Sequence, residues 1–143
     1  MTSQRVRRYA TSRRELDDLR AVIERDLKDA ALPGLSPERM FATAYNAALQ
    51  LAKMALACAG YRVAFGPGHH QTTFEAVKLV GLGRKCAKHA DYFDTCRRKR
   101  NVLDYDAANV ISDTEAKELV QKAAEFRQLI EGWMKQHHPN LAP

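Results

Sequence analysis

Apolar residues recur at three- and four-residue steps along most of this chain, and helix caps break the pattern at regular intervals. That period belongs to helices with one buried stripe, and no period-2 alternation persists over several residues. Ser12-Arg13-Arg14-Glu15 has the form of a capping box. It opens a helix with Leu16, Leu19, Val22, Ile23 and Leu27 on one stripe, closed by Pro33-Gly34. Ser36-Pro37 starts a second helix, with serine as N-cap and proline in the first helical position. Its stripe of Phe41, Tyr45, Ala48, Ala52, Ala55 and Leu56 is rich in alanine, so a neighbouring helix can approach closely. Gly60 ends it.

Residues 61–68 read as a loop. A third helix is expected from about residue 70 to 82, with Phe74, Val77 and Val80 inward, and a fourth from about 84 to 100, with Cys86, Ala90 and Phe93 on its core side. Residues 101–111 read as irregular. Ser112-Asp113-Thr114-Glu115 is a second capping box and opens the last helix, which turns Leu119, Ala123, Phe126, Ile130 and Trp133 inward. Gly66-Pro67-Gly68 and Gly81-Leu82-Gly83 are turns, since neither continues as a phosphate-binding loop. The expectation is an all-α, up-and-down bundle of about five helices. It comprises a basic arm over residues 1–11, one domain over 12–138 and a tail over 139–143.

A chain of 143 residues can bury a real core. Its net charge of +6 favours a polyanionic partner, nucleic acid before an acidic protein surface. Arg5, Arg7, Arg8, Arg13 and Arg14 all precede the first acid, Glu15, as in a phosphate-tracking arm outside the bundle. Cys58, Cys86 and Cys96 are odd in number and contain no Cys-x-x-Cys, which argues against a disulfide framework and a zinc knuckle. The first residues hold no apolar signal core, and the most apolar run, residues 47–59, is interrupted by Gln50 and Lys53 and is short for a membrane span. A cytoplasmic protein is expected, without membrane, metal or cofactor.

The segment Arg97-Arg98-Lys99-Arg100-Asn101-Val102-Leu103-Asp104-Tyr105 concentrates the chemistry. Cationic donors at a helix end suit phosphate oxygens. Steps of four and seven from Phe93 reach Arg97 and Arg100, so both lie on or beside the inward stripe, while Arg98 and Lys99 point away. An inward arginine needs a carboxylate, carbonyl oxygens or an anionic ligand. Local pairing of Arg100 with Asp104, or simple stabilisation of the helix C-terminus, are the structural alternatives. His70 is a candidate proton acceptor for the same groove. Arg84 and His89 form a weaker pair, because residues five apart on a helix diverge round the axis.

Residues 100–105, on the helix before the last, resemble the Arg-Asn signature of the HEPN superfamily (higher eukaryotes and prokaryotes nucleotide-binding). Ala44-Tyr45-Asn46-Ala47-Ala48 is similar to the family's Tyr-x-Ala-Ala second helix, and Gly68-His69-His70 to its histidine-containing loop. The resemblance spans roughly residues 36–136. It implies an all-helical homodimer that engages RNA or a nucleotide, often as a metal-independent ribonuclease in toxin–antitoxin or phage-defence systems with a nucleotidyltransferase partner. Arg100, Asn101, Asp104 and Tyr105 then take the catalytic positions, and Arg97, Arg98, His70 and Tyr45 the phosphate-binding ones. The family's motif histidine is replaced here by Tyr105, and the tyrosine that follows it by Ala107. A tyrosine of pKa about 10 is a poor base at neutral pH. The resemblance therefore also admits a non-catalytic module that binds RNA, a nucleotide or a partner protein.

Overall fold

The computed structural model describes residues 5–103 and 111–143, with the side chains of residues 101–103 excepted. Five helices are described: α1 (Arg13–Ala30), α2 (Pro37–Ala59), α3 (His69–Val77), α4 (Arg84–Leu103) and α5 (Asp113–His137). They form an all-α bundle built round α2, which packs against each of the other four. Within residues 47–58 of α2 only Gln50 and Lys53 escape full burial. A helix apolar on nearly every side belongs in the middle of a bundle, and Ala44, Ala48, Ala52 and Ala55, all at 0% exposure, let its neighbours approach closely.

The caps form where expected. Ser36 accepts from the Arg39 amide, and Pro37 occupies the first turn. Ser112 and Glu115 make a complete reciprocal capping box. Ser12 accepts from the Glu15 amide at 3.1 Å, but the Glu15 carboxylate turns outward instead. Tyr9 Oη donates to it at 2.6 Å and Thr11 Oγ1 at 2.7 Å.

Three boundaries depart from expectation. The first concerns residues 61–68 and the arm. Tyr61–Val63 is a strand, β2, paired antiparallel with β1 (Val6–Arg8) in the register Val6↔Val63, Arg7↔Arg62 and Arg8↔Tyr61. The pairing continues outward, with the Tyr9 amide donating to the Gly60 carbonyl and the Ala64 amide to that of Arg5. The arm is therefore docked along this stretch. Val6 and Val63 pack on the core and supply the apolar contact, and three residues per strand are too few for an alternation to be legible. Gly60 makes the turn from α2 into β2 at φ 96°, a left-handed conformation that costs a Cβ-bearing residue about 1–2 kcal/mol.

The second is α3, which stops at Val77, with turn geometry from residue 78 on, although Val80 still packs on the core. The third is α4, which continues three residues beyond Arg100 to Leu103. An aromatic chain ties these helices together. Tyr45 of α2 meets Phe74 of α3 edge-on at 6.0 Å, Phe74 meets Phe93 of α4 at 5.9 Å, and Phe93 meets Phe126 of α5 at 5.0 Å. Among the described residues, no helix is long and apolar enough to cross a membrane.

Candidate phosphate-binding site

Tyr45, His70 and Arg100 come from three helices and meet at one end of the aromatic chain. Tyr45 lies in the buried stripe of α2, at 1% exposure. Its ring carries the Arg100 guanidinium, with Cζ 5.4 Å from the ring centroid. A cation over a tyrosine face is held by the ring quadrupole, by about 0.5–1 kcal/mol or more as water is excluded. The Tyr45 hydroxyl lies 3.0 Å from His70 Nδ1. His70 stands in the first turn of α3, directly after the Gly66-Pro67-Gly68 turn. Gly68 is left-handed at φ 76°, and a Cβ there would lie 2.9 Å from Arg5 Nη1. The turn thus brings the arm against the start of α3 and fixes where that helix begins, with His70 as its second residue.

Arg97, one turn back on α4, is half-buried and donates from Nε to Asp94 Oδ1 at 2.8 Å. The same carboxylate takes Arg98 at 3.3 Å, but Arg98 is 70% exposed and points to solvent. Lys99 pairs with Glu115 of α5. Among the described residues, no carboxylate pairs with Arg100. The inward cation of the segment therefore rests on an aromatic face, while its three neighbours are ion-paired. Asn101 belongs to the last turn of α4; its side chain, like Asp104 and Tyr105, lies outside the described residues.

The electrostatics follow from this packing. Burial pushes the His70 imidazole down to about 4, and His69, Arg100, Lys53 and Arg97 add to the effect. Burial likewise raises the Tyr45 phenol well above its ordinary value, against the opposing pull of Arg100 and Arg97. At neutral pH the pair is a neutral phenol and a neutral imidazole. The direction of the Tyr45–His70 hydrogen bond follows the His70 tautomer: with the phenol donating to Nδ1, the imidazole carries its proton on Nε2. In that tautomer His70 offers an N–H donor on the same side of the bundle as a guanidinium, an arrangement that suits an anion.

The weaker pair, Arg84 and His89, does not converge. His89 Nδ1 lies 2.9 Å from the Lys85 carbonyl and Nε2 lies 3.0 Å from Glu125 Oε1. Its ring stacks on Phe126 at 6.1 Å. Oxygen acceptors face both ring nitrogens, so this histidine is a strut between α4 and α5. Asn46, next to Tyr45, is engaged too, donating to the buried Asp26 at 2.6 Å. All three cysteines are buried free thiols, and among the described residues no three metal-ligating side chains gather. Sequence reasoning missed two contributors, Asp94 and the Tyr45–Arg100 contact. Asp94 follows Phe93 and was legible as a carboxylate three residues before Arg97; the ring contact joins different helices and left no sequence signal.

Comparison of the chain with protein-family models, with curated proteins and with solved structures found no match.

Proposed function

We propose that the groove at Arg100, Tyr45 and His70 binds RNA phosphates, and that the chain is a HEPN-like RNA-binding protein. The observation that carries this reading is the Arg100 guanidinium. It is half-buried, seated on the Tyr45 ring and without a carboxylate partner among the described residues. In the tautomer that accepts from Tyr45, the adjacent His70 supplies a second donor at Nε2; Arg97 adds positive charge, and the net charge of +6 favours a polyanion. In this role the protein acts in the cytoplasm, as a homodimer, as a toxin or defence component beside a nucleotidyltransferase partner.

A ribonuclease form of this reading has a defined chemistry. The substrate's 2′-oxygen attacks the adjacent phosphorus, the bond from phosphorus to the 5′-oxygen breaks, and a 2′,3′-cyclic phosphate and a 5′-hydroxyl result. One proton leaves the 2′-hydroxyl and one arrives on the 5′-oxygen. Arg100 offsets the extra negative charge on phosphorus-bound oxygen, and Asn101 orients the phosphate. Tyr105, Asp104 or His70 handles the proton.

The non-catalytic module is the second reading, and the state of His70 favours it. A histidine that burial holds near 4 is a weak proton acceptor at neutral pH, and a positioned base normally contributes about 10²–10⁴ in rate.

Total RNA incubated in EDTA with the wild type and with Arg100→Ala tests both. Binding that falls in Arg100→Ala, without cleavage in either protein, supports the module. Arg100-dependent cleavage supports the enzyme. Equal binding by the two proteins removes the groove from the function.

A further inference from the structure

The β1–β2 ribbon roofs a cavity whose lining includes none of Tyr45, His70, Arg97 and Arg100. It has a volume of about 650 Å³ and lies between the ribbon, α1 and α2, within the range of small-molecule sites. Its charged lining is one-sided: Arg7, Arg8, Lys53 and Arg62 against the single carboxylate of Glu15. Glu15 is already engaged, with one oxygen held by Tyr9 and the other by Thr11.

Three details of this lining point to a ligand. Arg7 and Arg62 are direct cross-strand partners, and like charges placed opposite one another destabilise a sheet; the Arg62 guanidinium is offset in part by the Tyr9 ring, with Cζ 4.9 Å from its centroid. Lys53 stands on the central helix of the bundle. With Gln50 it interrupts an otherwise buried stretch, and both residues line the cavity. Burial, helped by Arg62, holds the Lys53 ammonium below its ordinary value, so the fold carries a partly desolvated cation here at a cost. His69 is the third. It lines the cavity at 8% exposure, and its Nε2 is enclosed without a hydrogen-bond partner among the described residues. Buried polar atoms in native proteins are rarely left so.

The lining also has an aromatic side. Phe65 is 92% exposed and stacks on His69 with ring centroids 5.1 Å apart. A large ring offered almost wholly to solvent at the mouth of a cationic cavity is suited to stacking a planar ligand. Leu19, Leu56 and Val63 add apolar wall.

From the opposed arginines, the half-buried lysine, the histidine nitrogen without a partner among the described residues and the exposed phenylalanine, we infer that the cavity under the β1–β2 ribbon binds a nucleoside phosphate. The phosphate sits among Lys53, Arg62 and Arg7, and the base stacks on Phe65. The ligand is either a free mononucleotide or the phosphorylated end of a nucleic-acid strand, which share this chemistry.

Calorimetric titration of the full chain with AMP, with inorganic phosphate and with a 5′-phosphorylated trinucleotide tests the assignment. AMP should saturate one site per chain, with inorganic phosphate binding more weakly. Lys53→Met, which keeps the aliphatic stem, should weaken both about tenfold, as loss of a charge-assisted contact does. Arg62→Gln, at an exposed position that tolerates change, should weaken both as well. Phe65→Ala should weaken AMP by at least roughly fivefold and leave phosphate unchanged, because only the base stacks. In an Arg100→Ala background, Lys53→Met and Phe65→Ala should still weaken AMP by the same factors, which separates this site from the groove on α4; loss of those effects assigns AMP to the α4 groove and overturns the site. Trinucleotide binding tighter than AMP assigns the strand end, and the reverse order assigns the free nucleotide; both uphold the site. Absence of AMP binding up to about 10 mM by protein with wild-type circular dichroism overturns it. So does AMP affinity unchanged in both Lys53→Met and Arg62→Gln, and equal loss of AMP and phosphate in Phe65→Ala overturns the stacking assignment.

Discussion

Among the described residues, Arg100 is held by a π-face where its neighbours are held by carboxylates. Arg97 and Arg98 share Asp94, and Lys99 pairs with Glu115. A guanidinium on an aromatic ring keeps its fork of N–H donors available for a bidentate oxyanion. Replacing Arg100 with alanine should therefore weaken RNA binding and reduce the slope of log affinity against log salt by about 1, as expected for one lost phosphate contact. Fluorescence anisotropy across a salt series reads this, and an unchanged slope would remove the contact. Tyr45→Phe isolates the hydroxyl, because the ring under Arg100 persists. It should cost about 1 kcal/mol in urea unfolding. His70 predicts a pH dependence. Its imidazole is held at about 4 in the folded chain against an ordinary value near 6.5, so between those limits the unfolded state binds the extra proton. The associated stability is complete above pH 6.5 and is lost as pH falls towards 4. His70→Gln should flatten the unfolding profile over that window relative to wild type; parallel profiles would contradict the burial of this group.

At the level of helices and strands, legibility followed the number of residues that share one job. The starts of α1, α2 and α5 were readable because a cap is a local motif. Ser112 illustrates this. Its hydroxyl and the Glu115 carboxylate satisfy two backbone donors reciprocally, and Ser112→Ala should cost about 1 kcal/mol in thermal or urea unfolding. At Ser12 the same motif formed by half, since Tyr9 and Thr11 draw the Glu15 carboxylate away. The competing donors lie just outside the motif and reach it only because β1 docks. The end of α3 was overestimated, because Val80 continues the apolar spacing although the helix has stopped at Val77. A turn can present an apolar side chain to the core as well as a helix can. The β1–β2 pairing was invisible for a related reason. It joins residues 6–8 to 61–63, and each strand is shorter than the period it would need to declare itself.

Across the whole chain, the arm is the segment whose role changed most. Read alone, Arg5, Arg7 and Arg8 are a charge run ahead of the first acid. Folded, Arg7 and Arg8 belong to a two-stranded ribbon that covers Val63 and encloses a cavity against α1 and α2, and Arg5 continues the pairing at its edge. Deleting residues 1–10 should thus lower the melting temperature as well as flatten the salt dependence of RNA binding. A truncated chain that melts with the wild type would contradict the docking of β1. The bundle itself is centred on α2, which touches every other helix.

Much of this was written in the linear order of residues. Helical period, serine caps, glycine stops and an alanine-rich central stripe are properties of short windows, and the physics behind them acts over one or two turns. The inward placement of Arg97 and Arg100 also follows from helical steps taken from Phe93. What no window contains is the meeting of segments far apart in the chain. Tyr45 beneath Arg100 and against His70, Glu15 claimed by Tyr9, and β1 laid along β2 all depend on how the elements pack. Packing is set by the sum of many weak, non-directional contacts, so the side chains that end up facing one another are known only once the whole core has closed.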